Sequence, residues 1–169
     1  MASSRWLEEF QEFAHSSTPG LLRTALLLCG DWHLSEDLVQ TALGKVYASW
    51  GRVRRADSPD AYARTVLTRT YISHARLRRS GERPVASIPD AGSTQQDPTL
   101  RLALLDALAQ LSARDRAVVV LRYWLDRSVE QTAADLRVTP GAVRTRSMRA
   151  LAKLRELLGS DRHALYAAH

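Results

Sequence analysis

The chain of 169 residues has a single cysteine, Cys29, and this excludes a disulfide bond within the chain. Cys29 closes an apolar run, so we expect a buried thiol kept reduced. No apolar run approaches the length that crosses a bilayer, and the acidic amphipathic opening does not have the pattern of a signal peptide. We therefore expect a cytoplasmic protein without membrane insertion.

The machinery of common enzymes is also missing from the sequence. The five histidines, at positions 15, 33, 74, 163 and 169, do not have the spacing of metal ligands. No glycine-rich phosphate loop follows a strand pattern. These absences predict a protein with no metal, no cofactor and no catalytic activity.

Glycine and proline are few, eight and six, and they cluster between long amphipathic runs. No alternating strand pattern and no fixed-period repeat is present, so the sequence predicts an all-α fold. Residues 80–99 are rich in Gly, Pro, Ser, Asp and Gln and have almost no core-forming pattern. We expect two small helical domains, 1–80 and 100–169, joined by a flexible linker over 81–99.

Lysine is scarce, because 22 of the 24 basic residues are arginine and the net charge is +6. Residues 1–80 have 11 basic and 8 acidic groups (+3), residues 81–99 have 1 and 3 (−2), and residues 100–169 have 12 and 7 (+5). Arginine suits bidentate contact with phosphate or guanine, so a polyanionic partner is plausible. Charge alone leaves DNA, RNA and anionic membranes as alternatives.

Residues 128–158 have the pattern of two helices joined by a short turn. Ser128 with Gln131 three residues later forms a capping-box pattern for the first helix. Thr139 as N-cap and Pro140 at the first helical position announce the second. The pattern predicts a helix-turn-helix. Arg137 lies in its turn, so the turn must avoid the left-handed conformation that favours glycine or accept some strain.

The second helix has an apolar stripe and a basic face. The stripe, which we expect to be buried, consists of Val143, Ser147, Ala150, Leu154 and Leu157. The side chains expected to point outward are Arg144, Thr145, Met148 and Arg149. Six basic residues and no acid lie between positions 137 and 155, which favours a helix laid in a major groove over a merely solvated one.

In the N-terminal half we expect helices over 5–14 and 21–29, then a third over 36–50 capped by Ser35. The third has a polar stripe opposite its apolar face, formed by Asp37, Gln40, Thr41 and Lys45. Considered alone, this stripe also fits an ordinary surface helix that meets only water.

A loop over 51–59 and a helix over 60–79 follow, and both are rich in arginine. Tyr62, Tyr71 and His74 are interleaved with the arginines of the helix. This combination suits binding of a nucleic-acid strand whose bases are unstacked and held. It equally suits an aromatic core with a basic rim.

The order DLVQTALGKVYASW, SPDAYARTVLTRTYISHARLRR, LSARDRAVVVLRYWLDRSVEQTAADL and VTPGAVRTRSMRALAKLREL resembles bacterial extracytoplasmic-function sigma factors, especially the actinobacterial SigE-like group. The resemblance covers residues 6–158. It implies a polymerase subunit whose partners are core RNA polymerase, promoter DNA and, as a further candidate, an anti-sigma factor.

The resemblance also implies residue roles. For polymerase binding it implies Asp37, Gln40 and Lys45, and for the minus-10 element Arg55, Tyr62, Arg69, His74 and Arg76. For the minus-35 element it implies Arg144, Thr145, Met148 and Arg149 in the major groove, with Arg146 and Lys153 nearer the DNA backbone. The rival hypothesis is a free-standing helix-turn-helix regulator that binds a palindromic operator without joining polymerase.

Overall fold

In the computed structural model, the described residues are 2–78 and 98–167, and they form helices with no strand among them. The predicted all-α class is therefore confirmed. The chain divides into two compact units, Met1–Pro84 and Val85–His169. Residues 81–97 of the expected linker lie outside the described residues, and a helix begins at Pro98.

The first unit packs three long helices against one another. Its elements are α1 (Ala2–Cys29), α2 (Trp32–Ala48), the short α3 (Trp50–Val53) and α4 (Pro59–Arg78). Each long helix contributes to the core, for example through Leu28, Val46 and Leu67, which are fully buried. Burial of such side chains contributes about 1.5–3 kcal/mol each.

Helix α1 differs from the prediction of two helices over 5–14 and 21–29. The structure has one helix, with Pro19 inside it. The Ser-Ser-Thr-Pro-Gly sequence favours a break, but tertiary packing carries the helix through, because Leu21 and Leu28 are buried against the other helices of the unit. The expected loop after α2 likewise begins with α3.

The start of α2 is also corrected by the structure. The N-cap is Asp31, whose carboxylate accepts a hydrogen bond from Leu34 N at 2.9 Å, so Ser35 does not cap the helix. Ser35 is buried and donates to the Asp31 carbonyl oxygen at 2.7 Å. Its Oγ lies 3.2 Å from Sγ of the half-buried Cys29. The helix therefore starts one turn earlier than expected.

The second unit consists of α5 (Pro98–Ala109), α6 (Ala113–Val119), a π-helical segment (Val120–Trp124), α7 (Val129–Leu136) and α8 (Pro140–Ala167). Its core includes Val118, Ala133 and Val143, which belong to α6, α7 and α8. The π-helical segment ends in an exposed pair, Tyr123 and Trp124.

The connection between α5 and α6 is held by one arginine. Arg116 donates to the carbonyl oxygens of Leu108 at 2.7 Å and Ala109 at 3.1 Å at the end of α5, and to that of Leu111 at 2.9 Å just after it. The last carbonyls of a helix have no partner within the helix, so the bond to Ala109 satisfies a group of this kind. The Leu108 carbonyl also accepts from the Leu111 amide at 3.1 Å.

Candidate nucleic-acid interface

The turn between α7 and α8 is built without glycine. Arg137 adopts the left-handed conformation, with φ 56° and ψ 47°, so of the two expected outcomes the chain accepts strain. The Val138 amide donates to the Ala133 carbonyl at 3.0 Å and the Arg137 amide to that of Ala134 at 3.3 Å. This is the paired closure of a Schellman motif.

The helix starts on both sides of the turn agree with the sequence. Ser128 and Gln131 form the reciprocal capping box, with bonds of 2.9 and 3.0 Å. Thr139 Oγ1 accepts from Ala142 N at 3.1 Å. Of the predicted stripe on α8, four members are buried and Leu157 is half-buried, and the four are Val143, Ser147, Ala150 and Leu154. The predicted helix-turn-helix is confirmed.

Three of the candidate DNA-binding side chains lie open on α8. Thr145 is exposed, and Met148 is 71% exposed although it is apolar. Arg144 is also exposed, with Nη2 3.6 Å from Oε1 of the exposed Glu130 on α7. Such a pair contributes little in water, so the Arg144 guanidinium can turn toward another acceptor at low cost.

Arg146 and Arg149 converge instead on a carboxylate of α6. Asp115 Oδ1 accepts from Arg146 Nη1 at 2.7 Å and from Arg149 Nη2 at 3.1 Å, and Oδ2 lies 3.2 Å from the same Arg149 nitrogen. Burial raises the pKa of the Asp115 carboxyl, but the hydrogen bonds from Arg149 and Arg146 outweigh it and hold that pKa below its ordinary value.

Lys153 is also tied to its own unit, because its Nζ donates to the Gln110 carbonyl at 3.0 Å. The basic face of α8 is thus partly held by bonds within the unit and partly open.

Sequence reasoning missed Asp115, although Ser112 and Asp115 have the spacing of a helix start. That spacing indicates a cap, and Ser112 Oγ does accept from Asp115 N at 3.2 Å, but the partners of the carboxylate lie more than 30 positions away.

In the first unit, two candidates for the minus-10 element lie near α3. Tyr62 is half-buried, and its hydroxyl accepts from Arg52 Nη2 at 3.3 Å. Arg55 is exposed at the rim of an open groove of about 480 Å³. The groove is lined by Arg5, Trp6, Glu9, Gly51, Arg54 and Arg55, and Arg54 Nη1 contacts Glu9 Oε2 at 2.5 Å.

The remaining minus-10 candidates lie along α4. Arg69 and His74 are half-buried and Arg76 is exposed. Burial and the nearby Arg78 charge lower the pKa of His74, and the Asp37 carboxylate opposes this shift. Tyr71, which the sequence placed among the basic side chains, is buried in the core.

The three polymerase-binding candidates lie along α2. Among the described residues, two of them make no bond to another helix, and the third bonds to α4. Asp37 and Gln40 are exposed. Lys45 reaches α4, where Nζ donates to Thr70 Oγ1 at 3.0 Å. The polar stripe of α2 is therefore open at Asp37 and Gln40 and bonded at Lys45.

Within residues 2–78 and 98–167 no helix combines the length and apolarity needed to cross a bilayer. Nor do the described residues contain a group of three or more His, Cys, Asp or Glu side chains able to hold a metal ion.

Two capped helices, α7 and α8, joined by a short turn, with arginines exposed on the second, are the features of a helix-turn-helix protein. Comparison with known families narrows this class. Residues 14–81 match the family model described as Sigma-70 region 2, and residues 101–154 match Sigma-70 region 4.

Individual relatives agree over most of the chain. The chain is 40% identical to the RNA polymerase sigma-E factor of Streptomyces avermitilis, covering 90% of this chain and 86% of that protein. It is 35% identical to the ECF RNA polymerase sigma factor SigL of Mycobacterium tuberculosis H37Rv, covering 80% of each. The chain belongs to the sigma-70 family of RNA polymerase sigma factors, within its extracytoplasmic-function group.

A solved structure has the same fold. It is the sigma factor RpoE in complex with the anti-sigma factor NepR from Bartonella quintana. The TM-score is 0.74 at 26% sequence identity, over 91% of this chain and 99% of that one.

Proposed function

We propose that this protein joins core RNA polymerase, recognises promoter DNA and directs promoter-specific initiation of transcription. The observation that carries the proposal is the ordered pair of family matches, region 2 over 14–81 and region 4 over 101–154, on two helical units.

The helix-turn-helix is proposed to bind the minus-35 element. Thr145, Met148 and Arg144 are exposed on α8, where they can reach base edges in a major groove. Arg149 keeps most of its side chain exposed while one nitrogen is bonded to Asp115. Arg146 and Lys153, which have partners within the unit, are assigned to phosphate contacts.

The first unit is proposed to open and hold the minus-10 element. Arg55 and Arg76 are exposed cations, whereas Tyr62, Arg69 and His74 offer half-buried polar or planar groups. Unstacking a base costs a few kcal/mol, and contacts to the exposed base and its phosphates offset that cost.

Asp37, Gln40 and Lys45 are proposed to contact polymerase through α2. Asp37 and Gln40 are open, and Lys45 retains an exposed side chain although it bonds to Thr70. The chain would then act as a regulatory subunit in the cytoplasm, without catalysing a bond-forming reaction itself. The Bartonella relative was solved with an anti-sigma factor, and we propose a partner of that kind for this chain as well.

The decisive experiment is run-off transcription from a genomic promoter library, with purified core polymerase in the presence and absence of the protein. We expect new transcripts that share a two-part upstream motif. Co-purification with core polymerase is the matched binding assay. If core polymerase is active but gains neither transcripts nor a bound subunit, and the protein alone binds a palindromic operator tightly, the free-standing regulator replaces this proposal.

A further inference from the structure

Asp115 occupies an unusual position for a carboxylate next to a DNA-binding face. It lies in the first turn of α6, its side chain is 11% exposed, and both of its oxygens face arginines of α8. Most of the charge on Asp115 is therefore committed to Arg146 and Arg149 and not to water.

The two arginines are held to different degrees. The Arg146 side chain is 28% exposed, and that of Arg149 is 60% exposed. A guanidinium carries five N–H donors in a planar fork, and Asp115 engages Arg149 through Nη2. The other N–H groups of the Arg149 guanidinium belong to a side chain that is mostly exposed, so they can donate to an acceptor outside the protein.

Fixing one edge of an arginine restricts the directions in which its other edge can point. A free arginine loses rotamer entropy when it forms a bidentate contact, and a side chain already held loses less. The carboxylate also offsets part of the positive charge that attracts any DNA regardless of sequence. Both effects favour discrimination between sequences over general affinity.

We propose that Asp115 is a positioning residue that orients Arg149 for base recognition and so sets promoter specificity. This inference rests on the proposed function, because it needs Arg149 to face the minus-35 element. Arg146, the more enclosed partner, completes the cluster by holding Asp115 from the other side.

The competing explanation is that the ion pairs of Asp115 only hold α6 and α8 together and have no effect on base recognition. The same unit contains a matched ion pair, in which Arg127 bonds to Asp135 at 2.9 and 3.2 Å. The Asp135 side chain is as enclosed as that of Asp115, but its partner lies before α7 and not on α8. Asp135→Asn therefore weakens a comparably enclosed ion pair whose arginine, Arg127, is not one of the α8 arginines.

The test is run-off transcription by reconstituted holoenzyme from templates whose upstream element is randomised, with sequencing of the templates that yield transcripts. The proteins compared are wild type, Asp115→Asn, Asp135→Asn, Arg149→Ala and the Asp115→Asn, Arg149→Ala double variant. Thermal unfolding and core-polymerase binding of each variant report whether it is folded and assembled.

We expect Asp115→Asn to lower the preference at the base pairs read by Arg149 by roughly tenfold, the size of a lost bidentate contact. Output from unselected templates should be maintained or increased. Asp135→Asn should select the wild-type motif. In the Arg149→Ala background, Asp115→Asn should change the motif no further, as expected for two residues that act through one contact.

Three results would overturn the proposal while leaving the sigma function intact: a folded Asp115→Asn protein that selects the wild-type motif, equal loss of selectivity in Asp135→Asn, or an unchanged effect of Asp115→Asn without Arg149. A wild-type protein that selects no upstream motif although core polymerase is active would overturn the proposed function and this inference together.

Discussion

Arg144 differs from its basic neighbours on α8 in how weakly it is held. Its distance to Glu130 is 3.6 Å, whereas Arg146 lies 2.7 Å from Asp115. Arg144 and Glu130 are both mostly exposed, so little free energy is lost when they separate. Arg144 can therefore turn toward a base at little cost.

We predict that Arg144→Ala changes the sequence preferred at the minus-35 element, with about 1–3 kcal/mol of discrimination lost at one position. The measurement is a competition between single-base promoter variants in holoenzyme binding. Arg155→Ala, an exposed change farther along α8, is the control. Uniform weakening of all variants would indicate a phosphate contact and contradict the assignment.

His74 senses charges from two helices. Burial and Arg78 lower its pKa, and Asp37 on α2 acts in the opposite direction. A histidine with a lowered folded-state pKa binds fewer protons folded than unfolded. Stability is therefore lost as the pH falls through the unfolded value, near 6.5, toward the folded one.

We predict that the first unit loses stability as the pH falls through about 6.5, the ordinary pKa of histidine, and that His74→Gln removes part of this dependence. Thermal unfolding at several pH values measures it. Asp37→Asn should lower the pKa of His74 further, which an NMR titration of the ring would show. A higher pKa of His74 in that variant would disprove the assigned role of Asp37.

At the scale of the elements, the α7–α8 turn holds Arg137 in a conformation that favours glycine. A non-glycine residue in the left-handed conformation costs roughly 1–2 kcal/mol of folding free energy. Glycine relieves this strain, but its greater conformational freedom in the unfolded chain offsets part of the gain. We predict that Arg137→Gly stabilises the second unit by about 0.5–1 kcal/mol, measured by denaturant unfolding. Arg137→Ala, which keeps the strain, is the control. Equal gains from both variants would locate the effect in the arginine side chain instead.

Helix α1 contains a similar local conflict at Pro19. Proline lacks the amide hydrogen and clashes with the preceding turn, at a cost of about 3 kcal/mol in a helix interior. We predict that Pro19→Ala stabilises the first unit by about 2 kcal/mol, after allowance for a freer unfolded chain. Gly20→Ala, where no atom lies within 4 Å of an added Cβ, should give a smaller gain of about 0.5–1 kcal/mol. A loss of stability in Pro19→Ala would show that α1 must bend to pack.

These elements show which parts of the fold are readable from sequence. Ser128, Gln131, Thr139 and Pro140 act on amides within one turn, so the helix-turn-helix could be predicted. The start of α2 could not, because Ser35 is a suitable cap by residue type and its burial inside the unit is not visible in the sequence. Pro19 misled the prediction for the same reason, since packing overrode a local preference.

The candidate interface was readable in composition but not in its bonds. The exposure of Arg144, Thr145 and Met148 follows from helical periodicity. The bonds of Asp115 to Arg146 and Arg149 join positions more than 30 apart, and the bond of Lys45 to Thr70 joins two helices. Such contacts depend on how helices pack, which a periodic pattern does not specify.

At the scale of the whole molecule, each unit has a core of its own. The first is built from α1, α2 and α4, and the second from α5 through α8. A unit with its own core can fold without the other. The net charges of residues 1–80 and 100–169, +3 and +5, also give each unit an attraction to DNA that salt weakens.

We predict that fragments 1–84 and 85–169 each fold, with helical circular dichroism and a cooperative thermal transition. The summed spectra of the fragments should match the spectrum of the full chain. A fragment that is unfolded by itself but helical when its counterpart is added would show that the units depend on each other for folding.

The exposed end of the π-helical segment has an optical consequence. Of the four tryptophans, Trp6, Trp32 and Trp50 belong to the first unit, and Trp124 is the single indole of the second. Trp124 is 52% exposed, whereas Trp50 is buried. Tryptophan emission from the second unit therefore arises from one indole that is partly exposed to water. Its wavelength reports directly on whether water is displaced from that edge when the unit meets another molecule.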